Sequence, residues 1–113
     1  MCDREKLNKV LKETCVELEK IFGNKLESVI LYGSYARGDY SNESDIDVMA
    51  LINLEKSEIA KYRRSVSEFA CDMDIKYEVL LSVKLQDKFT FEKYRDALPY
   101  YRNVIKEGVE IVA

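Results

Sequence analysis

The sequence predicts an α/β fold, a small mixed β-sheet with flanking helices, and three observations carry that expectation. Apolar residues recur at helical spacing at the start of the chain and again in its middle. Runs of β-favouring residues stand between and after them. The two patterns alternate along 113 residues without a repeat, linker or low-complexity tract, which predicts a single domain over 1–113.

The elements follow in order. Leu7, Val10, Leu11, Leu18, Ile21 and Phe22 fall on one helical face, so residues 3 to 22 form an amphipathic helix ended near Gly23 and Asn24. Leu26 to Tyr32 is a strand that stops at Gly33. Ser34 to Arg37 opens a short helix, and Gly38 is the residue type that ends one in the left-handed conformation. A polar, turn-rich segment, 38 to 44, leads to a second strand, Ile46 to Ile52. Ile59, Tyr62, Val66, Phe69, Ala70 and Met73 give a helix over about 55 to 71. Residues 74 to 83 then alternate, with Ile75, Tyr77, Val79 and Leu81 on one face and Asp74, Lys76, Glu78, Leu80 and Ser82 on the other, which reads as a third strand. A helix between two such strands suits a crossover connection. Near the end, Pro99 opens a helix, Gly108 closes it, and a last short strand covers about 109 to 112.

Composition removes several chemistries. Histidine is absent, which leaves no Ser-His-Asp triad and no histidine base. Cys2, Cys15 and Cys71 are odd in number and lack metal-ligand spacing, so Cys15 and Cys71 read as small core residues in a reducing compartment. No apolar run approaches the roughly 18 residues that span a bilayer, and the first residues lack a signal-peptide core. The expected location is the cytoplasm, with no membrane partner. A net charge of −3 argues against a nucleic-acid partner, although Phe89, Phe91, Tyr94, Tyr100 and Tyr101 do interleave with basic residues. That segment reads as a half-buried cap, with a protein-docking face as the second reading.

Carboxylate chemistry remains. On a strand starting at or just before Asp45, Asp45 and Asp47 share a face about 6 to 7 Å apart. Paired carboxylates resist joint ionisation unless a cation lies between them. Mg²⁺ prefers a few carboxylates plus a substrate's phosphate oxygens, so the implied partner is a nucleotide, ATP or another nucleoside triphosphate. Gly33 lets the backbone approach an anion, and Ser34 offers an N–H and a hydroxyl at the start of the short helix. The phosphates would sit there. Arg37 either steadies those phosphates or packs against Asp39 or Glu43.

Gly-Ser-Tyr-Ala-Arg-Gly at 33–38, followed by Ser-Asp-Ile-Asp-Val at 44–48, resembles the signature of the DNA polymerase β-like nucleotidyltransferase superfamily. The small size resembles its minimal nucleotidyltransferase branch, the antitoxin partners of HEPN-type ribonuclease toxins. The resemblance implies a nucleotidyltransferase fold, Mg²⁺-dependent transfer of a nucleoside monophosphate to a hydroxyl, and a third acidic residue on a later strand. Glu78, in the interior of the third expected strand, is preferred for that role as metal ligand and general base; Asp74, at the strand's entrance, is the alternative. The family more often carries aspartate there.

Because 113 residues leave no room for a second substrate domain, another chain is expected to present the acceptor, so a hetero-oligomer is expected, and a homo-oligomer remains open. The resemblance implies that the other chain is the HEPN-type toxin, whose tyrosine hydroxyl takes AMP. Two other readings stand beside it. One is a binding antitoxin with weak or no turnover, and the other is an enzyme acting on a small molecule of aminoglycoside type.

Overall fold

Helix α1 (Arg4–Phe22) turns its apolar stripe inward, with Val10, Leu11, Cys15, Leu18 and Phe22 all buried. Within it, Thr14 is fully buried and donates its hydroxyl to the Val10 carbonyl at 2.7 Å, which satisfies the one polar atom on that stripe. A single 3₁₀ turn, Gly23–Lys25, leads into the sheet. The structure, a computed structural model, describes residues 4–38 and 45–111. Asp3, Cys2, residues 39–44 of the expected turn, and Val112 of the expected last strand lie outside the described residues.

Strands β1 (Leu26–Tyr32), β2 (Ile46–Ile52), β3 (Leu81–Asp87) and β4 (Val109–Glu110) form one sheet in the order β3-β2-β1-β4. β1 runs antiparallel to β2 and β4, and β2 runs parallel to β3, which makes the sheet mixed, as expected. The parallel pair is joined by α3 (Lys56–Ala60) and α4 (Arg63–Tyr77).

Each face of β2 has its own core. Ile46, Val48, Ala50 and Ile52, with Val29 and Leu31 of β1 and Leu81 and Leu85 of β3, pack against α1 and the crossover helices. Met49 and Leu51, on the other face, pack against Phe91, Tyr101 and Val104. The last three come from α5 (Lys88–Tyr94) and α6 (Pro99–Glu107). Ile46, Val48 and Ile52 are wholly shielded from solvent, and burying such a side chain contributes about 1.5–3 kcal/mol before chain entropy offsets it. A one-residue slip of β2 would turn all three out and drive Asp47 into the main core, so the apolar pattern fixes where Asp47 points.

The aromatic segment near the C-terminus is thus a cap over the second core, as its pattern suggested, though Phe89 stands well exposed. Tyr101 donates its hydroxyl to Gln86 Oε1 at 3.0 Å beneath it.

Two boundaries differ from expectation. The helix expected over about 55 to 71 is broken at Lys61–Tyr62 and runs on to Tyr77, so Asp74, Ile75 and Lys76 are helical and the third strand starts only at Leu81. Residues 74 to 77 satisfy both periods, and the helical one wins. Met73 and Tyr77, one turn apart, pack on the core, while Ile75, which a strand would have buried, is 75% exposed. Lys76 and the Tyr77 hydroxyl also reach Glu13 on α1, tying the two helices together. The other difference is Cys71, which is exposed on α4; Cys15 is buried as expected.

Candidate active site

β1 delivers the chain to Gly33 beside β2, because Tyr32 pairs with Asp47 in the antiparallel register. Gly33 has φ 76°, a left-handed value that costs a side-chain-bearing residue about 1 kcal/mol or more. Its carbonyl accepts the N–H groups of Ala36 and Arg37, each at 3.1 Å, and so starts the short helix α2 (Ser34–Arg37). Gly38 ends that helix with φ 86°, its N–H on the Ser34 carbonyl at 2.9 Å. Gly33 also makes room. A β-carbon there would stand 2.5 Å from Asp47 Oδ2, so the turn and the carboxylate are in direct contact only because the residue is glycine.

Asp47 is half-buried on the face of β2 that carries Met49 and Leu51, and Asp45, exposed, lies just before the strand. Burial raises the Asp47 carboxyl above the ordinary aspartate range. The charge of Asp45 raises it further, and the Arg37 guanidinium opposes both. Asp47 is therefore harder to ionise than an ordinary aspartate, and a cation beside it would offset that cost. A hard divalent cation with open positions for water and phosphate oxygens fits that donor set.

Ser34 is half-buried at the first position of α2. Arg37 reaches Glu107 of α6, Nη1 to Oε2 at 3.1 Å, which clamps the turn to the C-terminal helix. Its other expected neighbours, Asp39 and Glu43, lie outside the described residues. Glu107 was not foreseen, since 70 positions separate the partners and no local pattern links them.

The expectation for the third carboxylate is corrected. Glu78 is not mid-strand; it is the exposed residue that ends α4, at φ 55°, three positions before β3. Asp74 lies within α4 and is committed to structure, its Oδ1 accepting the Leu81 N–H at 2.7 Å. The β3 residue opposite Asp47 is Ser82, followed on the same face by Lys84 and Gln86. Among the described residues no three acidic, cysteine or histidine side chains converge as a metal cluster. A cleft of about 790 Å³ between Asn53, Lys56, Asp87 and Phe89 lies at the opposite ends of β2 and β3 and shares no residue with the aspartate pair.

A glycine turn in direct contact with Asp47, across two antiparallel strands of a small mixed sheet, fits a nucleotidyltransferase. The chain belongs to the nucleotidyltransferase domain family, whose sequence profile matches residues 8–112. It is 33% identical over 102 residues to a Methanocaldococcus jannaschii protein named "Putative protein adenylyltransferase", covering 90% of this chain and 95% of that one. A solved "putative minimal nucleotidyltransferase" superposes with a TM-score of 0.60 over 96% of both chains, at 17% identity, and so shares the fold. A chain from a crystal structure of a toxin–antitoxin with AMP-PNP matches with a TM-score of 0.50 at 25% identity, over 87% of this chain and 69% of that one. The protein is an enzyme of the nucleotidyltransferase family, and the proteins it is similar to include one named "Putative protein adenylyltransferase" and a chain of a solved toxin–antitoxin structure.

Proposed function

We propose that this chain is an antitoxin that transfers AMP from ATP to a tyrosine hydroxyl of a HEPN-type ribonuclease toxin. The observation that carries the reading is the close approach of Gly33 to Asp47 Oδ2, which supports phosphates held at the turn lying beside a cation held by Asp45 and Asp47. The adenylyltransferase relative supports AMP as the group transferred, and the AMP-PNP neighbour supports ATP as donor and a toxin as partner.

In this reading Asp45 and Asp47 hold Mg²⁺. Bound there, the ion would neutralise triphosphate charge and would favour the ionised form of the attacking hydroxyl. Gly33 keeps the turn open to the phosphates, and the Ser34 N–H and hydroxyl hold the departing pair. Arg37, anchored by Glu107, adds positive charge at the turn. The acceptor oxygen bonds to the α-phosphorus, the bond to the bridging oxygen breaks, pyrophosphate leaves, and the hydroxyl proton passes to solvent. The work is cytoplasmic, where ATP and the partner are found.

Incubation with α-labelled ATP, Mg²⁺ and the product of the neighbouring gene is expected to label that product on tyrosine. An unlabelled product with every nucleoside triphosphate would sink the proposal. A second reading, a binding antitoxin without turnover, is favoured by one observation: Ser82, not an acid, stands opposite Asp47. Asp47→Ala separates the two. Loss of neutralisation with binding intact supports transfer, whereas full neutralisation supports the binding role.

A further inference from the structure

Among the described residues the outer edge of β3 carries no further strand, and it starts beside Ser82, opposite Asp47. Among the described residues β2 is the only strand paired with β3, so the far side of β3 from Leu81 to Asp87 carries peptide groups with no strand partner. The Ile46 N–H donates to the Leu80 carbonyl at 2.7 Å, which sets the phase of the parallel ladder. Ser82, Lys84 and Gln86 then direct both peptide groups to β2, and Leu81, Val83 and Leu85 direct theirs outward. The first outward N–H, that of Leu81, is already taken by the Asp74 carboxylate at 2.7 Å, an acid occupying this edge from within the chain itself.

Beside this edge run two adjoining clefts of about 330 and 280 Å³, which share Arg63, Lys84 and Leu85. α3 and α4 wall them on one side and β3 on the other. Among the described residues their charged lining comprises three cations, Lys56, Arg63 and Lys84, and one acid, Asp87, in a chain whose net charge is −3. Asp87 is itself turned to the Thr90 N–H at 2.8 Å, where it caps α5. The groove is thus a basic strip on an acidic protein.

We propose that the outer edge of β3 is the docking strip for the polypeptide that accepts the nucleotide, and that it takes an extended acidic segment as an added strand. Main-chain bonds to Val83 and Leu85 give the segment its direction, and carboxylates meeting Lys56, Arg63 and Lys84 select it. The geometry ties docking to chemistry. Ser82 stands opposite Asp47, so a residue docked beside Ser82 lies about 10 Å, two strand spacings, from Asp47 on the same face. The hydroxyl of a long side chain spans that gap. The proposal rests on the reading that the acceptor is a protein, but docking needs no turnover and is measured without it.

The probe is a fluorescent ten-residue peptide of alternating valine and glutamate with one tyrosine, set beside a lysine-for-glutamate control, titrated into the full chain without nucleotide. Saturable binding of the acidic peptide alone, with slowed amide exchange at Val83 and Leu85, is the expected result. Lys84→Glu and Arg63→Glu should each weaken it by about tenfold, the scale of one charge pair. Val83→Pro removes one outward N–H while leaving the bonds to β2, and it should abolish binding with the melting temperature of the chain held near its starting value. No binding, equal binding of both peptides, or protection elsewhere overturns the proposal. So does self-association of the chain that Val83→Pro abolishes, since the edge then belongs to a second copy. If the groove binds but no acceptor is ever labelled, the transfer reading falls and the docking strip stands.

Discussion

At the scale of single residues, the site is built on a conflict that the fold tolerates for the sake of chemistry. Asp47 is pushed above its ordinary titration range chiefly by burial and then by Asp45. An acid whose folded value is raised binds protons more readily in the folded state, so the stability it lends is present at low pH and is lost as pH rises from the unfolded value through the raised folded one. Asp47→Asn is therefore expected to raise the melting temperature of the metal-free protein at pH 7, with the gain shrinking below the carboxylate range, while transfer is abolished. A thermal melt at both pH values, paired with a labelling assay, checks it; a destabilised variant at neutral pH would contradict the electrostatic account. Gly33→Ala argues the converse. Its β-carbon meets Asp47 Oδ2 at 2.5 Å, and its φ of 76° strains any side chain, so the variant should lose about 1–3 kcal/mol in denaturant unfolding. Activity should fall further than stability does, because the carboxylate that must give way is the one proposed to hold the metal ion.

At the scale of elements, side chains at two places set how helices sit on the sheet. Glu13 of α1 accepts from Lys76 and from the Tyr77 hydroxyl at the end of α4, and these bonds hold its carboxyl below the ordinary glutamate value. A lowered acid stabilises the fold above its unfolded value, and that contribution disappears as pH falls through the folded one. The acid limb of the stability profile should therefore be shallower in Glu13→Gln than in the parent, with little change in its shape above pH 6. Identical acid limbs would show that the contact is too solvated to matter. The other place is Gly108, where a β-carbon would overlap the Val104 carbonyl and stand 2.5 Å from Ile30 Cγ2. Here the reason for glycine is contact, since φ is an ordinary −69°. Gly108→Ala should push α6 away from β1 at a cost of about 1–3 kcal/mol, and slackening of the Arg37–Glu107 clamp should appear as a higher KM for ATP.

At the scale of the whole molecule, what could be read from the sequence was what local physics decides. The turn at Gly33 and the apolar runs of β1 and β2 are settled within a few residues and stand where expected, with Asp47 on β2 against Gly33 and Asp45 just before the strand. Residues 74 to 80 were not legible, because Ile75, Tyr77 and Val79 satisfy a strand period while Met73 and Tyr77 satisfy a helical one. The choice was made by packing against α1, which lies some 60 positions away. The displaced strand start carried Glu78 out of the sheet and brought Ser82 opposite Asp47.

That substitution of place has a consequence for the reaction as a whole. Two carboxylates suffice to bind a cation with a triphosphate, but a further acid on the same face supplies both a bridging ligand and a proton acceptor for the attacking hydroxyl. Ser82 is exposed, and its side chain lies on the Asp47 face one strand away, so Ser82→Asp adds a carboxylate without disturbing the core. Its cost is added repulsion in the metal-free state, which should lower the melting temperature slightly and make the melt more sensitive to Mg²⁺. Titration of Mn²⁺ in the presence of AMP-PNP, followed by paramagnetic resonance, is expected to show tighter or additional metal binding than in the parent, and the rate of labelling should rise by about tenfold or more. Glu78→Gln, made in parallel, should leave both readouts unchanged, because Glu78 ends a helix. Were the Glu78 variant to lose metal binding while Ser82→Asp gained none, the third acid would have to reach the site from α4, and the two-carboxylate account of this enzyme would be wrong.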